Sequence, residues 1–328
     1  MSETLLDLQR KIADNLVRIA FEVTVYPWRV TVPNFERIVR IFLAFCPPEQ
    51  LKFFRISELP VWSRLSEPAL TRSGREAQAD GTPMPFFEPV RKRIREDRAF
   101  VARLWDGREI DDPLGSWSLT IVREKYAGEG LFSYARVLVP LESDPNVLVA
   151  LARQFAEEIE LLSGHGGPVF GFNPVLPYAA FTKIYTHSRR YLGIDIDMLD
   201  MCPRHMKHRL KSPCWINLIG HEFTSTNDLP LSRGASFQES GIRSTRQRFA
   251  DVHVIGNRPV PLDVNRQAEG ASGYRAYGEA ISDFVLSEAD TGPLDGEGFF
   301  NNPGTTDDWL HRFGRASAWV PDGIFKTG

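Results

Sequence analysis

The spacing of apolar positions changes period several times along the chain, and each change marks an element. Leu5, Leu8 and Ile12 recur at helical spacing behind Ser2, a capping residue, and predict a first helix to about Asn15. From Val17 the period becomes two. Val17, Ile19, Phe21, Val23 and Val25 alternate with Arg18, Glu22 and Thr24, which predicts a half-buried strand ended by Pro27. Phe35, Ile38, Val39, Phe42, Leu43 and Cys46 then return to helical spacing from Asn34 until Pro47-Pro48 stops the helix. Cys46 is thereby a core residue.

Residues 57 to 89 are rich in Ser, Pro and Gly, have weak periodicity, and predict a long irregular connection. RKRIREDRAFVARL, from Arg91, predicts a basic helix with Ile94, Phe100, Val101 and Leu104 inward and its charges solvated. SWSLTIVREKY and LFSYARVLVPL flank Ala127-Gly128-Glu129-Gly130 and predict a β-hairpin. Ser143 and Pro145 open a long helix with Val147, Leu148, Leu151, Phe155, Ile159 and Leu162 on its inner stripe. That helix is expected to end at SGHGG, with Gly164 as its C-cap and His165 in a loop. PVFGFNP reads as a short buried strand, PYAAFTKIYTHSRRY as a helix, DVHVIG as a strand and AYGEAISDFVLSEA as a last strong helix. A short helical patch follows at Trp309 and Leu310.

Helices and strands in this mixed order predict an α+β fold, with a mixed or antiparallel sheet and packed amphipathic helices, over a doubly wound one. The expected organisation is one domain over residues 1–328, either a single large domain or two closely packed lobes, 1–142 and 143–290. A loop-rich acidic tail is expected over 291–328.

Composition narrows the function. The 328 residues, 42% hydrophobic and 25% charged, suffice for a sizeable core, and a net charge of −3 argues against a general nucleic-acid binder. Three scattered cysteines form no disulfide framework. The charged, amphipathic N-terminus is unlike a signal peptide, and no run of about 18 apolar residues occurs, so a cytoplasmic protein without a membrane partner is expected. From residue 285 onward, Glu288, Asp290, Asp295, Glu297, Asp307, Asp308 and Asp322 face Arg312, Arg315 and Lys326. Seven acids less three bases leave −4.

One stretch has the vocabulary of a metal site. Cys202, His205, His208 and Cys214 spell C-x2-H-x2-H-x5-C. Pro203 invites a helix over 203 to 210, on which steps of three drift by about 60° each and fan the side chains apart. Arg204, Lys207, Arg209 and Lys211 oppose a divalent cation there. The segment therefore reads as a basic surface helix. A metal-dependent hydrolase using Cys202, His205, His208 or His221 stands as the alternative, and no cofactor is expected. HEFTS lacks the second histidine of H-E-x-x-H, and the G-x-S-x-G, phosphate-loop and EF-hand patterns are absent. In GIDIDMLD, Asp195 and Asp197 alternate with Ile194 and Ile196 and predict an exposed acidic strand edge.

RRYLGIDIDMLD, CWINLIG and IGNRPVPLDVNRQAEGASGYRAYGEAI resemble, in order and approximate spacing, the type VI secretion immunity family (TsiV-like). The resemblance is clearest over about residues 165 to 290. The chain departs from it at Leu262, where the family has glycine before Asp263-Val264-Asn265, and at HEFTSTNDL, where it has a Leu-Gly-Gly-like turn. The resemblance implies a non-enzymatic immunity protein that binds and neutralises a cognate toxin effector, in several cases a nuclease, and it transfers no catalytic residues. Carboxylates that imitate phosphate would suit such a partner. On charge alone, the candidate contacts are Asp195, Asp197, Asp200, Asp290, Asp295, Glu297, Asp307 and Asp308.

Overall fold

Thr31 starts the second helix by accepting the Asn34 N–H on its hydroxyl, with Pro33 in the first turn. In this computed structural model that helix, α2, runs Val32–Phe45 and ends on Cys46, which is buried. Residues 4–14, 16–46, 50–56, 63–64, 86–106, 117–126, 130–172, 177–197, 205–227, 229, 239–294, 298–314 and 318–320 are described. Helix α1 spans Leu5–Ile12 and is capped by Thr4, whose hydroxyl accepts the Asp7 N–H in a capping box. Ser2, the cap expected from the pattern, lies outside the described residues.

The expected α+β fold is present, built on one sheet of eleven strands among the described residues. Strand β1 (Val17–Pro27) lies at its centre, between β6 (Gly130–Val139) and β7 (Leu161–Phe172), antiparallel to both. Beyond β6 follow β5 (Ser118–Tyr126), β4 (Phe100–Trp105), β2 (Phe53–Ile56) and β3 (Ser63–Arg64). Beyond β7 follow β9 (Ile216–Gly220), β11 (Ala250–Ile255) and β10 (Ile242–Arg246), while β8 (Asp195–Ile196) pairs parallel with β7. The hairpin β5–β6 forms where the sequence places it. Helices α3 (Phe87–Arg95), α4 (Asn146–Glu158), α5 (Pro177–Ser188), α6 (His221–Thr226), α7 (Ser272–Ile281), α8 (Glu288–Thr291) and α9 (Thr305–Leu310) complete the described helices. Val17, Ile19, Phe21, Val23 and Val25 join Phe35, Ile38, Leu148, Leu151 and Phe155 in the main apolar core.

Four elements differ from expectation. SGHGG is strand, inside β7, because the stripe of α4 ends at Ile159 and Leu162 continues its spacing only by chance. A Cβ on Gly164 would sit 2.8 Å from the Thr24 carbonyl oxygen, and one on Gly166 2.9 Å from that of Glu22, so these glycines permit the close β1–β7 approach rather than end a helix. RKRIREDRAFVARL divides at Asp97, which adopts φ +53, into α3 and β4, where Phe100, Ala102 and Leu104 are buried at strand spacing. The last strong helix ends at Ile281; Ser287 then opens the separate α8 in a capping box with Asp290. Residues 205–208 form a turn where a helix was expected, and Cys202 to Arg204 lie outside the described residues.

The polar side of β1 is also covered. Glu22 and Thr24 are as buried as the valines between them, so the strand is buried on both faces. Residues 298–314 and 318–320 likewise bury Phe300, Trp309, Leu310, Phe313 and Trp319.

Candidate functional site

The three quoted motifs interlock in space. Arg190 clamps Asp263 bidentately, Nε to Oδ1 at 3.0 Å and a terminal nitrogen to Oδ2 at 2.9 Å. Behind the clamp, Val264 N–H donates to the Arg190 carbonyl, Leu192 N–H to Leu262 and Gly193 N–H to Pro261. A Cβ on Gly193 would stand 2.2 Å from the Val260 carbonyl oxygen, so only glycine fits. In the tryptophan strand, Asn217 accepts the Cys214 N–H and returns its own amide hydrogen to the Cys214 carbonyl. Leu262 occupies φ +54, the left-handed region that glycine enters without cost. In the HEFTSTNDL departure, His221–Thr226 folds as α6, with Phe223 buried. These contacts hold the three motifs to one another.

A polar row crosses the sheet. Through lateral register, Arg136 on β6, Thr24 on β1, His165 on β7, Asn217 on β9, His253 on β11 and Ser244 on β10 stand side by side on one face. Around its centre lies a buried ionic network. Arg136 donates to Glu22 at 2.9 Å and to Asp197 at 2.6 Å. Lys211 donates to Asp195 at 2.5 Å and to the Ile196 carbonyl at 3.0 Å. Arg312 donates to the Leu192 carbonyl, the Ser212 hydroxyl and the Trp309 carbonyl, and stands 3.8 Å from Asp195. Three carboxylates (Glu22, Asp195, Asp197) against three cations (Arg136, Lys211, Arg312) leave zero.

Burial sets the chemistry of each group. It raises the Glu22 carboxyl, yet Arg136, His165 and Lys211 overcome it and hold the group far below the usual carboxylate range. Burial, aided by Lys211, pushes His165 down, so its ring is neutral near neutral pH. A proton on Nε2, 3.3 Å from Glu22, suits that partner. Burial and Asp195 push the Cys214 thiol well up, so it is neither a ready thiolate nucleophile nor a prepared metal ligand. Asp195 and Lys211 side chains are 8% and 3% exposed, so this pair is closed to solvent.

The site residues expected from the sequence fall into separate groups. The exposed acidic edge is not what forms: Asp195 is buried against Lys211 and Asp197 is paired with Arg136, because the segment lies under charged side chains from three other elements. Asp200, Asp295 and Glu297 lie outside the described residues. Asp290 lies in α8, and Asp307 and Asp308 lie in the first turn of α9, two helices that hydrogen bonds join. There Glu288 accepts the Gly304 and Thr306 N–H groups, and Asp307 accepts the Glu288 N–H at 2.5 Å. Asp290 caps Ser287 and pairs with Arg209 at 3.2 Å. Among the described residues no group of three His, Cys, Asp or Glu could hold a metal ion. His208 is exposed, His205 half-buried, Cys214 lies in the ionic network, and Cys202 is outside the described residues. Sequence reasoning missed Glu22, Arg136, His165, Lys211 and Arg312; only Glu22 and Arg136 carried a signal, a charge between apolar neighbours.

No helix among the described residues is long and apolar enough to cross a membrane. The family described as type VI immunity for VRR-NUC matches residues 71–313, well over half of the chain. Among solved structures, a Pseudomonas aeruginosa type VI secretion protein, PA0821, superposes with a TM-score of 0.71 at 18% identity. The match covers 96% of this chain and 86% of that one, and shows a shared fold. No curated protein matches the chain in sequence.

Proposed function

The chain belongs to the type VI immunity family for VRR-NUC, and on that premise we propose that it binds a cognate toxin with a VRR-NUC-type nuclease domain and blocks access to its active site. The family match over residues 71–313 carries this reading. Binding rather than catalysis is supported by the neutral ionic network, whose Asp195–Lys211 pair is closed to solvent. A nuclease binds its substrate on a positive face, so surface carboxylates on the inhibitor raise association rate and fix orientation. Asp290, Asp307 and Asp308, held by the α8–α9 junction, are the described candidates for that role. The expected compartment is the cytoplasm, where such a toxin would meet DNA.

Expression of the toxin gene that neighbours this chain's own, with and without the chain, tests the reading. Survival with the chain and death without it supports immunity; death in both sinks it. Stoichiometric zinc in purified protein would favour the metal-dependent hydrolase instead, a reading with no observation in its support while the Cys214 thiol stays protonated.

A further inference from the structure

Exposed large apolar side chains are few among the described residues: Leu6, Tyr178 and Phe299. Two of these meet one helix. In α5, Tyr178, Thr182 and Tyr185 lie at i, i+4 and i+7 on the outward side, while Ala180, Phe181 and Ile184 face the core. Phe299, 51% exposed, stacks on Tyr185 with ring centroids 4.8 Å apart and planes 16° from parallel. The rings behind them are fixed: Phe300 meets Tyr185 edge-on at 5.3 Å and stacks on Trp319 at 5.9 Å. An exposed, rigid aromatic stack presents apolar area with little conformational entropy left to lose, which is how interface anchors are built.

The charges around it indicate the partner. The cations of the helix and the residues after it are engaged: Lys183 pairs with Asp14, Arg189 lies over the Trp319 ring at 5.0 Å, and Arg190 is clamped to Asp263. On the other side the chain runs from Phe299 through exposed Asn301 and Asn302 into the first turn of α9, which carries Asp307 and Asp308. Thr305 N–H donates to the Asn302 carbonyl, which joins the two pieces.

We propose that the nuclease toxin docks on this surface, its positive substrate-binding face meeting the α9 carboxylates while Tyr178, Tyr185 and Phe299 anchor the contact. The inference rests on the immunity reading and adds where binding occurs. The open apolar groove lined by Leu6, Phe21, Leu141, Pro145, Arg258 and Pro259 is the rival location. It carries one acid, Glu142, against Arg258, and so offers a basic partner no net complement.

The test uses the full chain and a catalytically inactivated form of the neighbouring toxin. Hydrogen–deuterium exchange on the unmodified proteins is expected to show toxin-dependent protection at residues 177–185 and 298–310. The double variant Y178A/F299A is expected to raise Kd by at least about tenfold with an unchanged thermal midpoint. D308K is expected to slow association and reduce its salt dependence. Binding of both variants at the unmodified affinity, with protection confined to the Leu6–Arg258 groove, overturns the location and leaves the immunity reading standing. No binding by the unmodified chain, with no protection against killing, overturns both.

Discussion

Asp195 and Asp290 each oppose a cation, and the two pairs behave as different materials. Asp195 meets Lys211 at 2.5 Å with side chains 8% and 3% exposed, whereas Asp290 meets Arg209 at 3.2 Å with 19% and 38% exposed. In the first pair neither charge has water to fall back on, so each is obligatory for the other. In the second, solvent screens both, and the carboxylate also caps a helix start. Burial, more than geometry, decides which carboxylates of this chain are closed off from water and which stay open to it.

That comparison breaks first at Lys211. K211M leaves Asp195 buried opposite no ammonium, and a loss of about 3–5 kcal/mol is expected in urea unfolding. A loss under about 1 kcal/mol would show the network to be hydrated and the contrast false. Acid probes the same face more gently. Burial pushes His253 down to about 4, below its ordinary value of about 6.5. A base whose folded pKa is depressed contributes its stability in full above the unfolded value and loses it as pH falls toward the folded one. About 3 kcal/mol is therefore expected to disappear between pH 6.5 and 4, and H253Q is expected to flatten that window. Glu22, held far below the carboxylate range, extends the loss to lower pH. A stability profile flat from pH 7 to 4 would contradict the His253 assignment.

The surface side is expected to respond weakly. D307A removes the acceptor of the Glu288 N–H and is expected to cost about 1 kcal/mol, read as a lower urea midpoint. D308N is expected to stay within about 0.5 kcal/mol of the unmodified chain. An effect of D308N as large as that of K211M would mean that the α9 acids are structural too.

The pattern was legible where one period rules one element. Strand β1, helix α2 and the β5–β6 hairpin came directly from it, since each buries a regular stripe. It misled at SGHGG, where glycines serve a close strand approach that no local rule reveals, and at Asp97, where a positive φ divides an apparently continuous helix. Of the candidate site residues, Asp290 and Asp307 accept hydrogen bonds from the adjacent Ser287 and Glu288 N–H groups at the start of α8. Alternation sets Asp195 and Asp197 opposite the apolar side, but it says which side a residue takes, not whether that side meets water.

The sequence by itself determined the α+β class, the core stripes and the family motifs, because these depend on neighbours at most a few residues away. The roles of those motifs were decided only by folding: the Arg190–Asp263 clamp joins residues 73 positions apart, and the Leu262 backbone takes a glycine-like turn beside it. The polar row from Arg136 to Ser244 likewise exists only through register across six strands. A charge carries no mark of its burial; the dielectric around it is set by segments that arrive from elsewhere in the chain.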